Sequence, residues 1–200
     1  MKKLTAEFYN RPEVLTIAKE LLGKIIVTRF DGVLTTARIV ETEAYRGVVD
    51  KASHAYGGRR TQRTEVMFGA AGNAYVYLCY GIHFLFNIVT NEAEIPEAVL
   101  IRGAEPLEGI PEMLKRTGKA KADFTLTRGP GNVSKALGID KIHTGYSLFS
   151  EDFYLAEDGY VPEKVVATPR IGVDYAGADA LLPYRFIVEG SRYVSGKRIV

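Results

Sequence analysis

The chain has 200 residues, with 26 lysines and arginines against 24 aspartates and glutamates for a formal charge of +2, 46% apolar residues and a single cysteine. That composition excludes a disordered chain, a collagen-like repeat and a disulfide-stapled scaffold. The length suits one continuous core, so a single domain over 1–200 is expected.

The start, MKKLTAEFYNRPEV, carries lysines with no apolar segment behind them. Nowhere does an uncharged apolar run approach the roughly 18 residues of a membrane span. A cytoplasmic protein without a membrane partner is expected. The first clear element is a helix opening at Pro12, with Val14, Leu15, Ala18, Leu21 and Leu22 at spacings of three and four and Gly23 as its stop. KIIVTRF, the dipeptide Asp31-Gly32 and VLTTARIVETEAY then read as a β-hairpin, because two β-branched runs flank a turn that favours positive φ. Residues 46–72 lack periodicity and read as a loop with at most a short helix. AYVYLCYG and HFLFNIVT are strands broken at Gly81, and AVLIRGAEP is another. Within the first of these Cys79 reads as a small buried hydrophobe. Glu108 to Arg116 and Val133 to Leu137 read as helices, and VVATPRIGV and YRFIVEG as closing strands. Strand beside strand with peripheral helices predicts an α+β domain built on a mainly antiparallel sheet.

Four features carry chemistry. In a strand Glu41, Glu43 and Tyr45 share one face, continued by Ile39 and Ala37, and carboxylates are rarely buried without a partner. Either the strand emerges into solvent at Glu41, or Arg38 or Arg102 forms a plain ion pair there, or the carboxylates are functional. The chain also has 12 tyrosines and no tryptophan, with Tyr75, Tyr77 and Tyr80 close together and Gly81 permitting a bend that exposes Tyr80. Aromatic strand residues fill cores; beside basic clusters they also stack on nucleobases. Two such clusters exist, Arg46, Lys51, Arg59, Arg60 and Arg63, and Lys115, Arg116, Lys119, Lys121, Arg128, Lys135 and Lys141. Finally, TRGPGNVSKALG places glycines before a helix, either as a plain helix start or as a phosphate cradle, without Walker A spacing. His54, His83 and His143 lie too far apart for a local zinc motif, so no metal is expected.

Five stretches, RIVETEAYRG, DKASHAYGGRRTQR, AYVYLCYGIHFLFNIV, VLIRGAEPLEG and GPGNVSKALGI, resemble in that order the alkyladenine (3-methyladenine) DNA glycosylases, over about Thr5 to Ser195. The resemblance implies a single-domain mixed α/β fold around a curved antiparallel sheet, acting on alkylated purines and hypoxanthine in duplex DNA without metal or cofactor. It implies Glu43 as general base and Arg102 as the arginine that helps hold the catalytic water. Tyr45, His54 and Tyr77 match the pocket around the flipped base, and Asn87 matches the asparagine that clashes with the guanine 2-amino group. Tyr80 matches the residue that wedges into the duplex, and Ile171 the residue whose backbone carbonyl faces the water.

That reading agrees with the physics of the task. A stacked base hides its glycosidic bond and must be extruded into an aromatic-walled pocket, where a cationic alkylpurine gains cation–π attraction. One carboxylate can orient water and stabilise an oxocarbenium-like sugar. With no lysine beside the aromatic motifs, a monofunctional enzyme leaving an abasic site is expected, working as a monomer. The competing classes are a non-catalytic nucleic-acid binder using the same tyrosines and arginines, and a hydrolase of free nucleosides.

Overall fold

The computed structural model describes residues 1–196. In chain order its elements are β1 (Lys2–Lys3), α1 (Ala6–Tyr9), α2 (Val14–Glu20), β2 (Ile25–Phe30), β3 (Val33–Tyr45), β4 (Ala74–Cys79), β5 (His83–Thr90), β6 (Glu97–Glu108), α3 (Ile110–Thr117), α4 (Pro130–Leu137), β7 (Phe153–Glu157), β8 (Val165–Thr168) and β9 (Arg185–Val188). The strands form one sheet in the order β1-β7-β2-β3-β6-β5-β4, with β9 also pairing β3 and β8 pairing β9. Every pairing is antiparallel. The expected α+β class holds.

The Asp31-Gly32 turn joins β2 to β3 with both residues at positive φ (52° and 76°), the geometry that matches the twist of a hairpin. Pro12 lies two residues ahead of α2 instead of opening it, because Glu13 takes a left-handed conformation as the N-cap. Val14, Ile17 and Ala18 from α2 and Val133, Ala136 and Leu137 from α4 pack with sheet residues such as Phe86 and Phe153 in the main core. Of VVATPRIGV only Val165–Thr168 is strand; Pro169 to Val173 leave the sheet as a loop. Strand β7 and the short β1 and α1 carry no periodic signal long enough to read.

β3 positions everything that follows. Its first half runs between β2 and β6 and its second between β9 and β6, so both edges are paired where Glu41 and Glu43 sit. Two bulges compensate there: Val40 is extra on β3 and Arg102 is extra on β6. A bulge shifts which face a side chain occupies. Ala37 and Ile39 point into the main core, and beyond the bulge it is Ala44 that does so, while Thr42 donates to the Ala18 carbonyl of α2 at 2.8 Å. Glu41, Glu43 and Tyr45 therefore occupy the opposite face from Ile39 and Ala37, which corrects the single continuous face read from alternation.

Candidate active site

On that opposite face lies a cleft of about 590 Å³, bounded by the end of β3, the β4–β5 hairpin, the 52–67 loop, residues 171–175 and the start of α4. Glu43 sits at its base, fully buried. Oε1 accepts the Ile171 N–H at 2.7 Å. Oε2 accepts the Tyr45 hydroxyl at 2.9 Å and Arg102 Nη1 at 3.3 Å. All three donors belong to residues that line the cleft, though Glu43 itself does not. Three bonds leave the carboxylate one lone-pair direction, on Oε1, out of about four. Burial pulls the Arg102 guanidinium down, but Glu43 and Glu41 outweigh it and hold it above the ordinary arginine range. Burial and then Glu43 push the Tyr45 hydroxyl well up, so it stays a neutral donor.

The walls are aromatic. Tyr75 and Tyr77 hold their ring centroids 5.5 Å apart, and the His54 ring meets Tyr77 edge-on at 4.7 Å. His54 Nδ1 lies 2.8 Å from the Tyr75 hydroxyl, and Nε2 lies 3.2 Å from Arg63 Nη2. A guanidinium only donates, so Nε2 carries the lone pair and Nδ1–H donates to Tyr75. Burial, with Arg63 and Arg59 adding to it, pushes the imidazole down to about 4. Asn87, 3% exposed, donates both amide protons to the Tyr75 and Leu85 carbonyls, at 3.1 and 3.3 Å. Its oxygen, an acceptor, is then the polar atom left for the cleft.

Tyr80 stands at the tip of the β4–β5 hairpin, 87% exposed, with φ of 50°. A bulky residue held in the left-handed region costs about 1–3 kcal/mol and persists where its projection is used. Ile82 beside it is 73% exposed. Cys79, expected to be buried, is half-exposed on the cleft wall because the hairpin there has left the core.

Glu41 does not emerge into solvent: it is fully buried, accepting Arg185 Nε at 2.6 Å, the Ser195 N–H at 2.7 Å and hydroxyl at 2.9 Å, and Arg102 Nε at 3.4 Å, so the ion pair with Arg102 is present. Arg38 instead pairs Asp158 at 2.7 Å. Two arginines tie the site together, Arg170 without any sequence signal for it. Buried Arg170 donates to Asp50 at 2.5 and 2.8 Å and to the Ala44 carbonyl at 2.9 Å, with its guanidinium 4.8 Å from the centre of the Tyr45 ring. It thus joins the end of β3, the 46–52 turn and the loop that presents Ile171. Arg63 covers Tyr77, 4.7 Å from its ring centroid. Its cluster had been noted; its packing on an aromatic wall had no sequence signal, and neither did the Arg170–Asp50 pair, whose members lie far apart in the chain.

The basic clusters are partly consumed by structure. Arg60 pairs Glu65 and Glu94, and Arg116 pairs Glu112. Arg128 holds the Val194 and Gly196 carbonyls. Gly129 to Asn132 of the glycine-containing stretch do reach the cleft wall. Among the described residues no three His, Cys, Asp or Glu side chains converge on one point, and no helix is long and apolar enough to cross a membrane.

The chain is similar to known proteins over nearly its whole length. A family model for methylpurine-DNA glycosylase matches residues 7–192. A protein of Desulfitobacterium hafniense assigned as a 3-methyladenine DNA glycosylase is 47% identical over 204 residues, covering 98% of this chain and all of that one. Proteins with the same assignment from Clostridium perfringens and Bacillus thuringiensis are 43% and 45% identical, covering 98% and 92% of this chain and 100% and 95% of theirs.

Proposed function

The chain belongs to the methylpurine-DNA glycosylase family of DNA-repair hydrolases, and from that premise we propose that it rotates damaged purines of the 3-methyladenine, 7-methylguanine and hypoxanthine class out of duplex DNA and hydrolyses their glycosidic bond with water activated by Glu43. The observation that supports this most directly is the placement of Glu43: a fully buried carboxylate whose three donors all line an aromatic cleft.

In this reading Tyr45, His54 and Tyr77 wall the pocket and Asn87 limits the purine 2-position. Tyr80 fills the gap in the duplex. The free lone pair of Glu43 takes a proton from water as the water oxygen bonds to C1′, with Arg102 and the Ile171 backbone helping to hold that water. The C1′–N9 bond breaks, and its electron pair leaves with the purine, neutralising the charge of a 3- or 7-alkylated base; hypoxanthine, neutral in the duplex, leaves as an anion that takes a proton from solvent. The ionised carboxylate meanwhile offsets positive charge developing on the sugar. No amine attacks C1′, so the product is an abasic site in an uncut strand. The chain acts as one domain and as a monomer, and its basic residues take flanking phosphates, which makes binding salt-dependent.

Incubation with duplex oligonucleotides carrying 3-methyladenine, 7-methylguanine or hypoxanthine, followed by alkali, tests the reading. Base release with alkali-labile strands is expected from the native chain. Tight binding without abasic sites would make it a binder, and release only from free nucleosides would make it a nucleoside hydrolase.

A further inference from the structure

After β9 the chain turns back beneath the site, and residues 193–196 cross the paired bulges of β3 and β6. The Tyr193 carbonyl lies so close over Gly103 that a Cβ there would come within 2.5 Å of it. A glycine at this point of β6 is the condition for the crossing. Arg128 Nε and Nη2 each donate at 2.8 Å, to the Val194 and Gly196 carbonyls. Between them Ser195 is 7% exposed, and every polar atom it has is used. Its N–H and hydroxyl donate to the two oxygens of Glu41, its hydroxyl also accepts Arg102 Nη2 at 3.3 Å, and its carbonyl accepts Arg185 Nη2 at 2.7 Å.

Arg102 is consequently divided three ways. Nε reaches Glu41 at 3.4 Å, Nη1 reaches Glu43 at 3.3 Å and Nη2 reaches Ser195 at 3.3 Å. None of these is short. A guanidinium free to choose closes on one carboxylate with two parallel bonds near 2.8 Å. Such closure on Glu43 would occupy its remaining lone pair and lower its basicity, both of which a general base needs intact. Among the described residues the Ser195 hydroxyl is the one group holding Nη2, and it is itself fixed by Glu41 and by the backbone grip of Arg128.

We propose that Ser195 is a positioning residue for excision: by anchoring Nη2 it keeps Arg102 shared between Glu41 and Glu43, so that Glu43 keeps the lone pair that takes the proton from water. The 193–196 strap is then part of the catalytic machinery, though it touches neither base nor sugar. This rests on the reading of Glu43 as the base and extends it to the group that keeps the base free.

The test uses the full chain with Ser195→Ala, Ser195→Thr, Arg102→Gln and the Ser195→Ala/Arg102→Gln pair. Each is measured for single-turnover excision of 7-methylguanine from duplex DNA, affinity for an abasic duplex and thermal melting. Ser195→Ala keeps the backbone N–H on Glu41, so the fold should survive, and melting verifies it. The expected result is a fall of about tenfold or more in the excision step, since small misplacements near reacting groups cost up to about 10²-fold. Affinity for the abasic duplex stays within about twofold, Ser195→Thr restores the rate, and Ser195→Ala adds nothing in the Arg102→Gln background. Native-rate excision by folded Ser195→Ala overturns the proposal, as does a loss that simply adds to that of Arg102→Gln. A native chain that binds the duplex but releases no base overturns the functional reading itself, and the inference with it, and is recognised before any variant is measured.

Discussion

Glu41 and Glu43 are two residues apart on one face of one strand, both fully buried, and both touch Arg102. What separates them is where their other partners look. Glu41 faces the sealed side, where Arg185 and Ser195 supply short bonds to both oxygens from residues that do not line the cleft. Glu43 faces the open side, where Ile171, Tyr45 and Arg102 are also the floor of a cleft. Equal burial of equal groups therefore gives unequal chemistry: a carboxylate saturated by its own chain is a structural ion, and one whose donors border an empty volume is available to a ligand.

The largest effect should come from exchanging charge for amide at each position. Glu43→Gln should abolish excision, by 10²–10⁴-fold for the lost base alone and further for the lost negative charge beside a cationic sugar, with melting and abasic-duplex affinity nearly unchanged. Glu41→Gln should do the reverse: by leaving Arg185 and Arg102 short of a counter-charge it should cost stability, roughly 3–5 kcal/mol as for other broken buried pairs. Single-turnover excision and thermal melting on both variants measure this. Inverted results would assign catalysis to Glu41 and dissolve the comparison.

Next is the joint between the two sides. Arg170→Met retains bulk beneath Tyr45 and removes the donors to Asp50 and Ala44. An Asp50 carboxylate left buried without its counter-charge, held only by the Arg46 and Ala52 N–H groups, should again cost up to roughly 3–5 kcal/mol, and excision should slow because the Ile171 N–H loses its register on Glu43. Asp50→Asn/Arg170→Met should recover part of the stability, since it removes the orphaned charge. A double variant no more stable than the single one would deny that the pair acts as a joint.

Much of this contrast was legible in the sequence as composition of parts, and much of it was not. The hairpin at Asp31-Gly32, the strands around Gly81 and the pairing of Glu43 with Tyr45 follow from alternation and turn chemistry, which are local. The role-reversal between Ile39 and Glu41 is invisible to alternation, because it depends on extra residues at Val40 and Arg102 that only the pairing of β3 with β6 reveals. The Arg170–Asp50 joint and the Ser195 strap are contacts between distant parts of the chain, and no spacing rule reports those. The resemblance carried the candidate pocket residues, and the fold does gather Tyr45, His54, Tyr77, Tyr80, Asn87, Arg102 and Ile171 around one cleft.

Tyr80 sharpens the open side. It is almost wholly exposed, and serine keeps the Cβ that makes the left-handed backbone costly, so Tyr80→Ser should leave melting unchanged. Affinity for lesion and abasic duplexes should fall by about 1–3 kcal/mol, the worth of one aromatic–base stack. Fluorescence of a base analogue next to the lesion reads extrusion directly, and unchanged extrusion would remove Tyr80 from the duplex.

The smallest effect concerns the protonation of the cleft wall. His54 is pushed down to about 4 by burial and by Arg63 and Arg59, against about 6.5 in an unfolded chain. Between those values the unfolded chain binds a proton that the folded one refuses, so this residue makes no contribution to the pH dependence of stability above about pH 7 and destabilises the fold progressively as pH falls from 6.5 toward 4. Heteronuclear NMR of the histidine side chains should show the His54 ring neutral at pH 5.5, with its proton on Nδ1. In Arg63→Gln the loss of one adjacent charge should raise its titration midpoint and shrink the acid-side loss of stability. A His54 that titrates near 6.5 in the native protein would mean that the cleft wall is solvated like an ordinary surface, and the open side would lose the dry aromatic wall that distinguishes it from the sealed one.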